Sequence, residues 1–257
     1  MTKNIINIGL PSKGRLKHDT INIFKKKKLN IYSERGERDL FGYIKKLPNV
    51  KIIYLHAREC IEQLSLGNID VGFSGYDLLK ESEINIQNKI LINKKYNFGN
   101  ANLVLAIPDL WIDVQTLLDL DEVADEFKKK KKRLLRVATK YPNLTRQFLY
   151  SKGVTQFQLV KSLGSTEDAP FTGTAEAISD ITSTGATLKA NNLRVLKDGE
   201  ILKSQACLMM SKLSLRKLGI KEIKPKVWTL PVPKPVRNGK FDPPEGTIEK
   251  TLDWRFE

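Results

Sequence analysis

Short apolar runs rich in valine and isoleucine alternate with amphipathic stretches along most of this chain. Because buried parallel strands joined by helices give this alternation, the pattern predicts an α/β protein. The predicted strands are residues 5–10, 50–55, 70–73, 102–107, 134–138, 157–160, 177–182 and 202–210. The predicted helices are residues 18–28, 58–66, 114–129 and 144–151.

The middle of the chain is predicted to form a second lobe. Residues 118–132 change from acidic to basic, as in a peripheral helix. We expect lobe I to comprise residues 1–98, completed by about 189–213, and lobe II to comprise residues 99–188. Two crossings between lobes would place a ligand-binding cleft between them. Residues 214–257, which hold six of the chain's 11 prolines, are predicted to be a proline-rich extension.

The formal net charge of +15 raises the possibility of nucleic-acid binding. Much of this charge lies in lysine runs at residues 25–28 and 128–132, each near the end of a predicted helix, where cations suit the helix dipole. No aromatic residues alternate with these lysines to stack on bases. We therefore expect no nucleic-acid partner, and a nucleic-acid-binding hypothesis rests on charge alone. A positive field also favours polyanionic small molecules.

Cysteine, histidine and hydropathy patterns exclude several other classes. Cys60 and Cys207 lack the spacing of a zinc site or redox pair, and neither His18 nor His56 has a nucleophile beside it in sequence. We expect no metal held by protein side chains and a reaction that needs little acid or base catalysis from the protein. The first apolar stretch is too short for a secretory signal, and no run approaches membrane-spanning length, so a cytoplasmic protein is expected.

Residues 177–189 (AISDITSTGATLK) carry the first candidate site. A predicted strand is followed by a loop of small residues and then a helix start, which together offer backbone N–H groups and hydroxyls to a phosphate. Gly185 lets the backbone close around an anion. Asp180 or Glu176 would accept hydrogen bonds from ribose hydroxyls. A plain Ser/Thr-rich turn that caps a helix is the alternative.

Other loops follow predicted strands in the same way. Residues 11–16 (PSKGRL) place Lys13 and Arg15 where an open α/β sheet binds anions. Arg38, in residues 36–40, is a further phosphate ligand or a surface ion-pair partner. Loops that combine small and polar residues also occur at 72–77, 139–146 and 163–170. Each fits a turn when taken singly, but five such loops at successive strand ends favour a ligand site.

These loops resemble the ATP phosphoribosyltransferase family, whose members catalyse the first step of histidine biosynthesis. The resemblance covers roughly residues 4–211. The matching motifs, in family order, are residues 11–16 (PSKGRL), 67–72 (GNIDVG), 75–79 (GYDLL), 138–145 (ATKYPNLT), 164–170 (GSTEDAP), 180–188 (DITSTGATL) and 190–193 (ANNL).

The resemblance implies a two-lobed fold like that of type II periplasmic binding proteins, with an active-site cleft between the lobes. ATP and phosphoribosyl pyrophosphate (PRPP) would react there, and Mg²⁺ would enter with the pyrophosphate. It assigns the PRPP phosphate to Ser183, Thr184, Gly185, Ala186 and Thr187, and the ribose hydroxyls to Asp180 or Glu176. Arg15 and Arg38 would stabilise charge on the leaving pyrophosphate, with Lys13 beside them. The remaining candidates, for ATP, are Gly75, Tyr76, Asp77, Tyr141 and Glu167.

Two departures from the family pattern affect these expectations. Many relatives carry a Cys-Arg pair where this chain has Ala101 and Asn102, which puts a nucleotide contact there in doubt. The proline-rich residues after 213 do not resemble the histidine-sensing domain of long-form members. The chain thus resembles the short form, which implies a homo-oligomer and a regulatory subunit related to histidyl-tRNA synthetase. A non-catalytic module that binds nucleotide or PRPP is the alternative function.

Overall fold

The computed structural model describes residues 5–34, 39–162 and 164–217 and divides into two compact units. The first unit runs to Gly99 and resumes at Ala206, and the second spans Asn100–Gln205. Each unit contains a mixed β-sheet with helices. The predicted α/β class is therefore confirmed.

Six of the described strands form the sheet of the first unit. They are β1 (Ile6–Pro11), β2 (Phe41–Ile44), β3 (Leu47–Leu55), β4 (Val71–Gly75), β5 (Ile90–Lys95) and β11 (Ala206–Ser211). Their order is β2-β3-β1-β4-β11-β5. Because β1 is parallel to β3 and β4, the loops that follow these three strands leave from one edge of the sheet.

Helices pack on the two faces of this first sheet. They are α1 (Gly14–Lys26), α2 (Ala57–Leu66), α3 (Tyr76–Glu81), α4 (Ile84–Gln87) and α8 (Lys212–Lys217). Alternate residues of β1 point to opposite faces, as strand geometry requires. Ile8 and Leu10 belong to the buried cluster that contains Phe24 of α1, whereas a side chain at Gly9 would meet Cys60 of α2.

Five strands form the sheet of the second unit, among the residues described. They are β6 (Ala101–Pro108), β7 (Leu135–Thr139), β8 (Phe157–Lys161), β9 (Ala177–Thr182) and β10 (Leu193–Ser204), in the order β10-β6-β9-β7-β8. β7 is parallel to β8 and β9, whereas β6 is antiparallel to β9 and β10. The carboxyl ends of β7, β8 and β9 therefore share one edge.

The helices of this second unit are α5 (Leu117–Lys131), α6 (Pro142–Ser151) and α7 (Ala186–Ala190). α5 begins with a capping box in which Thr116 and Asp119 each bond the other's backbone N–H, an arrangement worth about 1 kcal/mol. Leu120 and Phe127 of this helix are buried with Leu135 of β7. No helix in the described ranges combines the length and apolar character needed to cross a membrane.

The second boundary between the units lies later in the chain than predicted. The expected strand at residues 202–210 is two strands, β10 and β11, separated at Gln205. β10 pairs with β6 in the second sheet, so residues 189–205 belong to the second unit and not to lobe I. Of the predicted extension, residues 214–217 end α8, and the remainder lies outside the described residues.

Candidate active site

The loop after β9 joins a strand to a short helix, as the sequence predicts. The Gly185 N–H donates to Thr182 Oγ1 over 2.9 Å, and the Ala186 N–H lies 3.3 Å from Thr184 Oγ1. Gly185 has φ +74°, a left-handed conformation that favours glycine. The side chains of Ser183, Thr184, Ala186 and Thr187 are exposed. The loop thus presents hydroxyls to solvent on a backbone that its own hydrogen bonds hold in place.

Asp180 lies on β9, two residues before the strand ends at Thr182. Its side chain is half-buried, and its Oδ1 accepts a 2.8 Å hydrogen bond from the Ile181 N–H. Burial raises the pKa of this carboxyl, while the Ile181 N–H, Lys140 and the Thr166 hydroxyl oppose the rise, and the charge of Glu167 adds to it. The structure therefore brings Asp180 together with residues of the loops that follow β7 and β8.

Lys140 and Thr166 were not singled out from the sequence. Lys140 is exposed and directly follows β7, whereas Thr166 is fully buried in the loop after β8 and lies 3.1 Å, oxygen to oxygen, from Ser162. The available signal was their position in loops that follow parallel strands, because such loops share one edge of a sheet. Glu167, half-buried beside them, belongs to this group, and its contact with ATP stays a prediction.

Glu176 does not lie with the loop. It directly precedes β9, so Thr182 lies six residues further along the strand, or about 20 Å away. Its carboxylate accepts hydrogen bonds from both Arg133 and Arg136, the shortest of them 2.6 Å, and also from the Arg136 N–H. This ion-pair cluster engages the Glu176 carboxylate, so Asp180 is the one of the two predicted ribose ligands that lies near the loop.

Tyr141 is placed at this edge but its side chain is only 6% exposed. It directly precedes α6, and its N–H donates to the Thr139 hydroxyl over 2.9 Å. In this conformation the ring is enclosed by protein. A direct contact between Tyr141 and ATP stays a prediction.

Asn102 lies across from Thr182 in the β6–β9 pairing. The position at which the sequence departs from the family pattern is therefore next to the Thr/Gly loop. The Asn102 amide donates to the Glu200 carboxylate over 2.9 Å, and this hydrogen bond links the side chains of β6 and β10.

In the first unit, residues 11–16 and 75–77 lie at one edge of the sheet. The Ser12 N–H donates to the Leu55 carbonyl over 2.8 Å, which holds the loop that follows β1 against β3. Lys13 directly precedes α1 and Arg15 lies in its first turn, and both side chains are exposed. Arg38 lies outside the described residues, so its predicted role is untested.

The segment around Gly75 follows β4 and begins α3. Asp77 is buried, and a Cβ at Gly75 would lie within van der Waals overlap of the Asp77 carboxylate. Tyr76 is half-buried, with Lys95 Nζ 4.0 Å from the centre of its ring. Glycine at residue 75 is explained by this packing. Contacts of Gly75, Tyr76 and Asp77 with ATP stay a prediction.

Comparison with known proteins points to one family. The sequence profile of the family described as HisG, ATP phosphoribosyltransferase, matches residues 56–228. A Nitrobacter winogradskyi protein named ATP phosphoribosyltransferase is 48% identical over 212 residues, which cover 82% of this chain and 65% of that relative. A Brucella suis protein of the same name is 41% identical over 219 residues, which cover 85% of this chain and 95% of that relative. The chain thus spans about two thirds of one relative and nearly all of the other.

A solved structure gives the same indication at the level of fold. It is described as an ATP phosphoribosyl transferase (HisG:HisZ) complex from Thermotoga maritima. The similarity has a TM-score of 0.62 and 26% sequence identity, and it covers 84% of this chain and 92% of that chain.

Proposed function

Because this chain belongs to the ATP phosphoribosyltransferase family, we propose that it transfers a phosphoribosyl group from PRPP to N1 of ATP. A bond forms between adenine N1 and C1 of the ribose, and the bond from C1 to pyrophosphate breaks. The products are phosphoribosyl-ATP and pyrophosphate, in the first step of histidine biosynthesis.

The observation that carries this proposal is the loop after β9. Its exposed Ser183, Thr184 and Thr187 hydroxyls and the left-handed Gly185 suit the 5-phosphate of PRPP. Asp180, two residues before the end of β9, is the acceptor we assign to the ribose hydroxyls. We do not assign Glu176 to the ribose, because its carboxylate lies at the opposite end of β9 and is bonded by two arginines.

Rate enhancement in this proposal comes from charge stabilisation. Pyrophosphate gains negative charge as it leaves, and Lys13, Arg15 and Arg38 are the cations we assign to it. Adenine N1 carries a free lone pair, so its attack requires no base from the protein. The absence of a required base agrees with the sequence, in which neither His18 nor His56 has a nucleophile beside it.

We further propose that Mg²⁺ enters as part of the substrate, bound to the phosphates of PRPP. Among the described residues, no group of three or more His, Cys, Asp or Glu side chains is placed to hold a metal ion. The alcohol and amide groups of the β9 loop are better suited to phosphate oxygens than to a divalent cation.

The proposal extends to partners. The Thermotoga maritima structure is of a HisG:HisZ complex, and the chain covers 92% of the matched subunit. We propose that this chain assembles with a HisZ-like partner. From the family resemblance we further propose that this partner is a regulatory subunit related to histidyl-tRNA synthetase, that the chain forms a homo-oligomer, and that it acts in the cytoplasm.

The test is formation of phosphoribosyl-ATP by the purified full chain with ATP, PRPP and Mg²⁺, assayed with and without the regulatory subunit from the same source. Arg15→Ala should lower kcat/KM by about 100-fold or more, as loss of a charge-stabilising donor does. Arg216→Ala is the matched control, because Arg216 is an exposed arginine of the first unit on α8. Binding of PRPP without any product, with or without the regulatory subunit, would contradict the enzymatic function and favour a non-catalytic module.

A further inference from the structure

Three buried hydroxyl groups meet beneath the start of α6. Thr139 ends β7, Thr145 lies in the second turn of α6, and Ser179 lies on β9 next to Asp180. Their side chains are at most 1% exposed. Thr145 Oγ1 lies 2.8 Å from Ser179 Oγ and 3.3 Å from Thr139 Oγ1. We call these three residues the hydroxyl triad.

The triad also holds both backbone groups of Tyr141. The Tyr141 N–H donates to Thr139 Oγ1 over 2.9 Å, and the Tyr141 carbonyl accepts from Thr145 Oγ1 over 2.7 Å. The geometry also makes Thr145 Oγ1 a donor to Ser179 Oγ over 2.8 Å, so its one proton has two acceptors, the Tyr141 carbonyl and Ser179. Thr139 Oγ1 lies 3.3 Å from Thr145 Oγ1, and either of these two hydroxyls could donate to the other.

The position of the triad connects it to the candidate site. Thr139 and Ser179 are register partners in the parallel β7–β9 pairing, and the next residues along the two strands are Lys140 and Asp180. Lys140 is one of the groups that lower the pKa of Asp180. The triad thus joins the Lys140–Tyr141 turn to the strand position that precedes Asp180.

We propose that Thr145 is a positioning residue for PRPP binding, a role that rests on the proposed function. By holding the Tyr141 backbone and Ser179 together, its hydroxyl fixes the distance between the Lys140 turn and Asp180. Buried hydrogen-bond networks specify geometry when every member is satisfied. A side chain of the same shape without a hydroxyl would fill the same space but could not hydrogen-bond the Tyr141 carbonyl.

Two substitutions separate this role from simple packing. Thr145→Val keeps the branched shape and removes the hydroxyl, whereas Thr145→Ser keeps the hydroxyl and removes a methyl group. Ser179→Ala removes the hydroxyl of another triad residue, and it replaces Thr145→Val in the test if that variant does not fold. Ser65→Ala is the stability control, because Ser65 is a buried helical hydroxyl of the first unit that bonds the Glu62 carbonyl.

The first measurement is amide hydrogen exchange of the free protein. We expect Thr145→Val and Ser179→Ala to speed exchange at residues 140–146 and 179–182 by roughly tenfold, as loss of one buried hydrogen bond would. Thr145→Ser should stay near wild type, and Ser65→Ala should leave these segments unchanged. Unchanged exchange in both triad variants would overturn the proposal, whatever the protein's function.

The second measurement is titration of Mg²⁺-PRPP by calorimetry, with steady-state kinetics. Thr145→Val should weaken PRPP binding by about tenfold and raise KM for PRPP while kcat changes little. Thr145→Ser should restore both values. PRPP binding at wild-type strength in Thr145→Val would overturn the positioning role, and so would equal losses in the Val and Ser variants. A wild-type chain that binds no PRPP would instead overturn the proposed function and the assignment to PRPP, while the exchange result would still report on the triad.

Discussion

Arg136 Nη2 lies 2.6 Å from Glu176 Oε1 at the amino end of β9, and the Glu176 side chain is only 11% exposed. Arg133 Nη2 lies 2.9 Å from the same oxygen. Burial alone would raise the pKa of Glu176, but the hydrogen bonds from the two arginines outweigh it and lower the pKa to about 2. Because the folded pKa lies below the unfolded value, this carboxylate stabilises the fold at neutral pH, and the stabilisation is lost as pH falls towards 2.

Glu176→Gln should therefore lower the free energy of unfolding by roughly 2 kcal/mol at pH 7. The difference from wild type should shrink as the pH falls below about 4.5, where the unfolded glutamate is already protonated. Urea denaturation at pH 7, 5 and 3 measures it. Glu126→Gln is the control, because its ion pair with Lys130 is exposed and should contribute at most about 0.5 kcal/mol. A difference between Glu176→Gln and wild type that does not change with pH would count against this explanation.

Gly185→Ala and Gly153→Ala form a matched pair in the second unit. Both glycines have positive φ, +74° and +86°, and a Cβ at either would meet no described atom within 4 Å. Each substitution should cost about 1 kcal/mol of stability through backbone strain. Only Gly185→Ala should also weaken PRPP binding, by about tenfold or more, because only Gly185 lies in the loop assigned to the phosphate. Thermal denaturation measures the stability of the two variants, and calorimetric titration measures their PRPP affinity. Equal PRPP affinity in the two variants would show that the loop does not bind the PRPP phosphate.

Asp180→Asn should make the protein more stable and less functional. Burial raises the pKa of Asp180, so the folded state favours its protonated form. The protein is therefore stabilised at acid pH, and this contribution is lost as the pH rises through the raised pKa. At pH 7 the folded protein must keep a partly buried carboxylate charged, which costs free energy. The neutral amide removes this cost and should raise the Tm at pH 7 by roughly 2–4 °C, as expected where a functional site lowers stability.

The same variant should bind PRPP about tenfold more weakly, because an amide accepts hydrogen bonds from ribose hydroxyls less well than a carboxylate. Differential scanning calorimetry and PRPP titration on one preparation measure both properties. A lower Tm with unchanged PRPP affinity would mean that Asp180 has a structural role alone.

Asn102→Ala tests the departure from the family pattern. The Asn102 amide is bonded to Glu200, so we expect its loss to change KM for ATP and PRPP by less than about twofold. Steady-state kinetics with each substrate varied in turn provides the measurement. An increase in KM for ATP by about tenfold would show instead that this amide contacts the nucleotide.

The residues that the sequence predicted best lie at the ends of buried strands. Hydrophobic periodicity located β1, β7 and β9 to within one residue, and the loops that follow them emerged as candidates because strand direction fixes their edge. The sequence predicted the strand, the loop and the helix start of residues 177–189, and the binding of the PRPP phosphate by this loop stays a prediction. In each case the signal was local: a buried strand followed by small and polar residues.

Properties that depend on distant pairing were not visible in the sequence. The predicted strand at residues 202–210 joined the end of β10 to β11, because one residue separates the two strands, yet they belong to different sheets. The sequence analysis grouped Glu176 with Asp180 because they lie close along the chain. The ion pairs of Glu176 with Arg133 and Arg136 depend instead on how α5 leads into β7. Lys140 and Thr166 were missed because their importance comes from the neighbouring parallel strands.

The strand that begins at Ala206 lies inside a sheet whose other described strands all come from the chain up to Lys95. β11 lies between β4 and β5 and bonds both. During synthesis, the chain up to Gly99 would therefore leave the ribosome with the facing edges of β4 and β5 unpaired, and more than 100 further residues must follow before β11 can pair with them. An amino-terminal fragment that stops at Gly99 should aggregate, whereas one that ends after Ser211 contains all the described strands.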